Sequence, residues 1–102
     1  MASSKEYLDY VLELLSETDN IRYRPMMGEY IIYYKDRVIG GIYDDRFLVK
    51  PTKSAKELMP EASYELPYEG AKEMLMVDSE DKEFLGELFE AMVDELPKPK
   101  KK

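Results

Sequence analysis

Cysteine and histidine are both missing from this sequence of 102 residues. Without thiols there are no disulfides, no thiolate zinc site and no cysteine nucleophile. Without imidazole the commonest acid/base group and metal ligand near neutral pH is lost, so Ser-His-Asp and Cys-His catalysis cannot be assembled. A metal would have to be held by carboxylates alone. No window approaches the ~20 apolar residues of a membrane span, and Lys5 and Glu6 precede any long apolar run. Neither GxxxxGK[ST] nor GxGxxG occurs, which removes the usual phosphate-cradling loops. These absences predict a cytoplasmic protein that is not an enzyme, carries no cofactor and does not enter a membrane.

What is present is enough to fold. Hydrophobic residues make up 44% and charged residues 36%, an apolar share that disordered chains lack. The length fits one domain with one core. The net charge of -7 is unevenly spread. Residues 1–20 carry one Lys against five acids, residues 21–56 eight Lys/Arg against four acids, and residues 57–97 thirteen acids against Lys72 and Lys82. Lys98, Lys100, Lys101 and Lys102 end the chain, in a segment without apolar residues that reads as a disordered basic tail. A mainly acidic body repels a phosphate backbone at long range, which disfavours nonspecific DNA binding by the whole surface.

Leu8, Val11, Leu12 and Leu15 share one stripe at helical spacing, behind a Ser3 cap with Glu6 as its capping-box partner. The expected first helix spans 4–17. Three short runs rich in β-branched and aromatic residues, 30–34, 38–43 and 46–50, are broken at Lys35-Asp36-Arg37 and at Asp44-Asp45, as in a β-meander. A brief helix capped by Thr52 follows and stops at Pro60. Tyr64, Leu66 and Tyr68 alternate as a strand that Pro67 limits, and a last strand covers 74–77. A long amphipathic helix capped by Asp78 or Ser79 runs to Leu96. The order α-β-β-β-α-β-β-α predicts an α+β two-layer sandwich: a mostly antiparallel five-stranded sheet with the helices on one face, in a single domain over 1–97.

The stretch Tyr23-Arg24-Pro25-Met26-Met27-Gly28-Glu29-Tyr30, continuing through Tyr33-Tyr34-Lys35-Asp36-Arg37-Val38 to Asp44-Asp45-Arg46-Phe47-Leu48-Val49-Lys50-Pro51, resembles the N-terminal domain of the TfoX (Sxy) competence regulators. The match extends to Tyr68-Glu69-Gly70 and the terminal helix. Two departures stand out: Arg37 occupies a position where the family hairpin commonly has Gly, and Gly40-Gly41 replaces bulkier strand residues. The resemblance implies a helix, three strands, a helix, two strands and a helix, and a role in regulating natural competence in bacteria. It brings no catalytic residue. Longer members carry a second, helical domain that this stretch does not include.

Individual residues read mostly as structure. Gly28 fits a bend at strand entry, and Asp44-Asp45 fits a turn rather than a Mg²⁺ or acid/base pair. Gly40-Gly41 suggests a closely packed helix, with a shallow pocket as the alternative. Met74, Met76 and Met92 read as core fillers. Along 30–34, Tyr30, Ile32 and Tyr34 point one way while Ile31 and Tyr33 point the other. The face turned away from the helices would expose such side chains beside Arg and Lys. The candidate interaction surface is Tyr30, Tyr34, Arg37, Arg46 and Lys50, and its partner a protein, a second copy of the chain included. The alternative is nucleic acid, which requires Arg22, Arg24, Arg37, Arg46 and Lys50 to gather on one face.

Overall fold

A computed structural model describes residues 3–97; the basic tail expected over 98–102 lies outside the described residues. The elements run α1 (Lys5–Leu14), β1 (Ile21–Met26), β2 (Glu29–Tyr34), β3 (Arg37–Ile42), β4 (Phe47–Val49), α2 (Lys53–Leu58), β5 (Tyr64–Glu65), β6 (Met74–Met76) and α3 (Lys82–Val93). All pairings are antiparallel, in the spatial order β1-β2-β3-β4-β6-β5. The α+β reading holds, with six strands where five were expected. The additional strand is β1, in which Pro25 and two arginines mask the β pattern. Proline is tolerated there because β1 is an edge.

Three successive hairpins turn on two residues each: Met27-Gly28, Lys35-Asp36 and Asp44-Asp45, all six with positive φ. Two positive φ values define a type I′ turn, whose twist matches that of the strands it joins. Tight turns fix the register, so the pairing of the meander is set by local geometry.

The helices lie on one side. Leu8 and Val11 of α1 and Leu85, Leu88, Phe89 and Met92 of α3 meet Ile32, Ile39, Phe47, Val49 and Leu75 of the sheet in one buried cluster. Tyr34 joins it, its ring 5.7 Å from that of Phe89. Of the strand β6, Leu75 enters this core. Met74 and Met76 are the neighbours on either side, and they point to the opposite face rather than into the core as expected.

Cap positions differ from the sequence reading by one to three residues. Ser4, not Ser3, caps α1, its Oγ accepting from the Tyr7 amide at 3.1 Å. Ser3 is committed elsewhere: its hydroxyl donates to Glu29 at 2.6 Å and accepts from the Asp45 amide at 3.1 Å. Asp81 caps α3, accepting from Glu83 and Phe84 amides. Thr52 caps α2 as expected.

Gly40 and Gly41 answer to strands, not to a helix. Pairing shifts between Ile32/Tyr33 and leaves Ile39 as a bulge. A Cβ on Gly40 would then run into the β4 backbone, meeting the Leu48 carbonyl oxygen and, at 2.8 Å, Val49 Cα. A Cβ on Gly41 would strike the Tyr43 ring at 2.7 Å.

Candidate functional site

The face of the sheet away from the helices is assembled by register. Cross-strand partners share a face, so Arg22 lies with Tyr33 and Val38, Arg24 with Ile31 and Gly41, and Leu48 with Gly41 and Met76. The two halves of this face differ.

Over β3, β4 and β6 the chain from Leu66 to Glu73 folds back across the sheet. Arg46 anchors its start, donating to Glu65 at 3.1 Å and to the Leu66 carbonyl at 2.9 Å. Pro67 is buried, and Tyr68 places its ring 6.1 Å from that of Tyr43. Gly70, with φ +89°, turns the segment back. Leu48 is fully buried on this side, outside the helix-side cluster. A cavity of about 370 Å³ remains between sheet and segment, bounded by Val38 and Gly40 below and by Pro67 and Tyr68 above.

Over β1 and β2 no segment among the described residues lies on the open face. Arg22 to Gly28 are all exposed. Tyr23 and Met26 are each exposed by some 40%, and Met27, at the tip of the hairpin, is 95% exposed. Met27 also holds a φ of 53°, a left-handed conformation that disfavours any side chain with a Cβ. Tyr23, opposite Ile32, lies on the helix side instead, packing edge-on against Tyr30 at 6.0 Å.

The five residues proposed from the sequence occupy separate environments. Tyr34 is buried, donating its hydroxyl to Glu90 of α3 at 2.7 Å, with burial and that carboxylate pushing its pKa up to about 12. Tyr30 is half-buried against the helix-side core. Arg37 reaches from β3 to the Val93 carbonyl at the C-terminus of α3. Arg46 anchors the 66–73 segment, and Lys50 lines the cavity beneath it. Of the five basic residues of the meander, Arg22, Arg24, Arg46 and Lys50 lie on the open side and Arg37 on the helix side, so the full set does not gather on one face. The exposed hairpin tip at Met26-Met27 was not among the sequence candidates. Its signal was two consecutive methionines beside a turn glycine.

Among the described residues no group of acids is placed to hold a metal ion, and no helix is long and apolar enough to cross a membrane. A larger groove, about 600 Å³, lies between the end of α2 and the start of α3, where Glu61, Asp78 and Asp81 share the wall with Leu58 and Phe84.

The motifs that carry the family resemblance converge on one polar knot. Glu29, entering β2 after Met27-Gly28, accepts from the Ser3 hydroxyl and, at 3.2 Å, from the Asp44 amide. The Asp45 carboxylate accepts from the Ser4 amide at 2.8 Å, and the Ser3 amide donates to the Gly28 carbonyl at 3.0 Å. The first and third hairpin turns are thereby tied to the start of α1, which gives Asp44-Asp45 a structural role. The model of the TfoX N-terminal domain matches residues 13–84. A protein of Spirochaeta aurantia, described as an uncharacterized 12.7 kDa protein in the trpE 5' region, is 30% identical over 102 residues, 98% of this chain and 89% of that protein. No solved structure matches. By this match, over its whole sheet and all the turns that shape it, the chain belongs to the TfoX N-terminal domain family.

Proposed function

We propose that this domain is a non-enzymatic regulatory adaptor that works through a protein contact centred on the β1–β2 hairpin. The observation that carries the reading is Met27. A 95% exposed methionine in a left-handed turn is unfavourable twice, once for its apolar surface and once for its backbone. Asn or Gly would relieve both. A side chain kept at that position against local preference fits a surface covered by a partner.

Met26 extends the apolar surface onto the open face of β1, where Arg22 and Arg24 lie beside it. The partner that suits it is a protein segment with apolar side chains among acids, since the arginines complement acidic groups and methionines adapt to irregular surfaces. A competence-regulating role, as the family name suggests, would be exercised through such a partner. A nucleic-acid partner is less well served, because Arg37 and Arg46 are committed to carbonyl and carboxylate groups of the chain itself.

A photo-crosslinking residue placed at Met27 tests this in cells, with the same residue at exposed Glu57 on α2 as control and with nuclease treatment before analysis. A protein adduct, heterologous or a dimer of the chain, formed from position 27 and not from 57 is the expected result. Adducts equal at both positions, or present only without nuclease, would sink the reading.

A further inference from the structure

We infer that the cavity between the open face of β3 and the 66–73 segment binds a small aromatic carboxylate. The site is distinct from the hairpin tip and does not depend on its role.

Several features of the sheet make the cavity. Gly40 gives the cavity a stretch of floor without a side chain. The bare Gly41 lets the Tyr43 ring lie down on the strand, where a Cβ would stand 2.7 Å from it. Tyr43 and Tyr68 then form two walls at 55° to each other, one from the hairpin and one from the covering segment. Met74 closes one end with a thioether, a favourable neighbour for aromatic rings. At about 370 Å³ the volume sits at the lower end of the ~300–1,000 Å³ usual for small-molecule sites, so the ligand is of single-ring size.

The charge of the ligand follows from the rim. Lys50, at the end of β4, and Lys72, on the covering segment, both line the cavity. Neither forms an ion pair among the described residues, whereas Lys5, Lys35 and Lys82 each do. Glu73 is the single carboxylate of the lining, leaving one positive charge in excess. Burial, then Tyr68, raises the Tyr43 pKa, so its hydroxyl stays protonated and able to donate to an anion. An aromatic ring packed against the tyrosine pair, with a carboxylate toward the lysines, satisfies both parts of the site.

Amide NMR spectra of the ¹⁵N-labelled protein titrated with benzoate, 4-hydroxybenzoate, hexanoate and benzylamine test the assignment. The two benzoates are expected to give saturable shifts centred on Gly40, Gly41, Tyr43 and Ala71. Benzylamine should give none, and hexanoate should bind several-fold more weakly than benzoate. Lys50→Glu combined with Lys72→Glu should weaken benzoate at least tenfold, and Lys50→Arg should keep it, since a charge-assisted hydrogen bond is worth about one factor of ten or more. Absence of saturable shifts at millimolar benzoate, or benzylamine binding as well as benzoate, overturns the proposal. Hexanoate equal to benzoate overturns the aromatic assignment. These outcomes are read on the unaltered protein, so they stand whether or not the Lys→Glu variants fold.

Discussion

Tyr34 carries two opposing demands in one side chain. Its ring is 4% exposed and packs on Phe89, while its hydroxyl reaches Glu90, whose carboxylate also lies 3.5 Å from Lys35. Removing the hydroxyl alone, in Tyr34→Phe, should cost about 1 kcal/mol at neutral pH, the net value of one hydrogen bond to a charged acceptor at the surface. The pH dependence gives a sharper test. A folded pKa of about 12, above the ordinary value of 10, means that Tyr34 contributes stability fully present below pH 10 and lost as pH rises toward 12. Denaturant unfolding followed at neutral pH and at about pH 11 should show the difference between wild type and Tyr34→Phe shrinking. A constant difference would show that Tyr34 ionises as freely in the folded protein as in the unfolded one. The alternation that puts Tyr30, Ile32 and Tyr34 on one face was legible in the sequence, but which face meets the helices was not. Both sets contain isoleucine and tyrosine, so hydropathy does not distinguish them. Arg37 was equally hidden: the last turn of α3 has no basic residue of its own, and β3 supplies one to its terminal carbonyl, where the helix dipole favours a cation.

At the level of elements, the hairpins show how local geometry outweighs residue preference. Lys35 and Asp36 hold φ values of 51° and 66° in a turn that Asn-Gly would adopt with less strain. Asp36→Gly should therefore stabilise the protein by about 1 kcal/mol, raising the thermal midpoint by several degrees. The lost Arg22–Asp36 pair, 3.2 Å apart and exposed at both ends, offsets only a few tenths of that. Calorimetry decides: a lowered midpoint would mean that the ion pair or Asp36's own backbone contacts outweigh the strain. The same hairpins explain which elements the sequence revealed. Three strands announced themselves by β-branched and aromatic runs. β1 did not, because Arg22, Arg24 and Pro25 interrupt the run, although Ile21, Tyr23 and Met27-Gly28 mark its alternation and its turn. Ser3 drew the helix cap one residue early because Ser3 and Ser4 are equally good caps locally. Only the tertiary partners Glu29 and Asp45 decide between them.

Across the whole molecule the charge segregation seen in the sequence becomes a set of ties between layers. The two-layer architecture followed from amphipathic helices and meander. The covering of half the second face by residues 66–73 did not, since that segment has no periodicity and is shaped by Pro67, Gly70 and one anchor, Arg46. The acids of the helices are partly used in linking elements. Glu13 of α1 meets Lys82 of α3 at 2.8 Å, Glu90 of α3 meets Tyr34 and Lys35, and Glu95, just beyond α3, accepts from the Ser54 amide and hydroxyl of α2 at 3.0 and 2.7 Å. Each of these carboxyls is held below its ordinary pKa of 4.5 by its partners: Lys82 for Glu13, Tyr34 and then Lys35 for Glu90, and the Ser54 amide for Glu95. A lowered folded pKa contributes stability that is present above the unfolded value and lost as pH falls through the folded one. Stability should thus stay level or rise slightly from pH 7 to about pH 5, as the net charge of -7 is partly neutralised, and then fall steeply below about pH 4.5. A variant with Glu13, Glu90 and Glu95 each changed to Gln should be less stable at neutral pH and lose less on acidification, so the two denaturation profiles converge near pH 3. Parallel profiles across that range would show that these three contacts add nothing to folding and that acid sensitivity arises from other carboxylates.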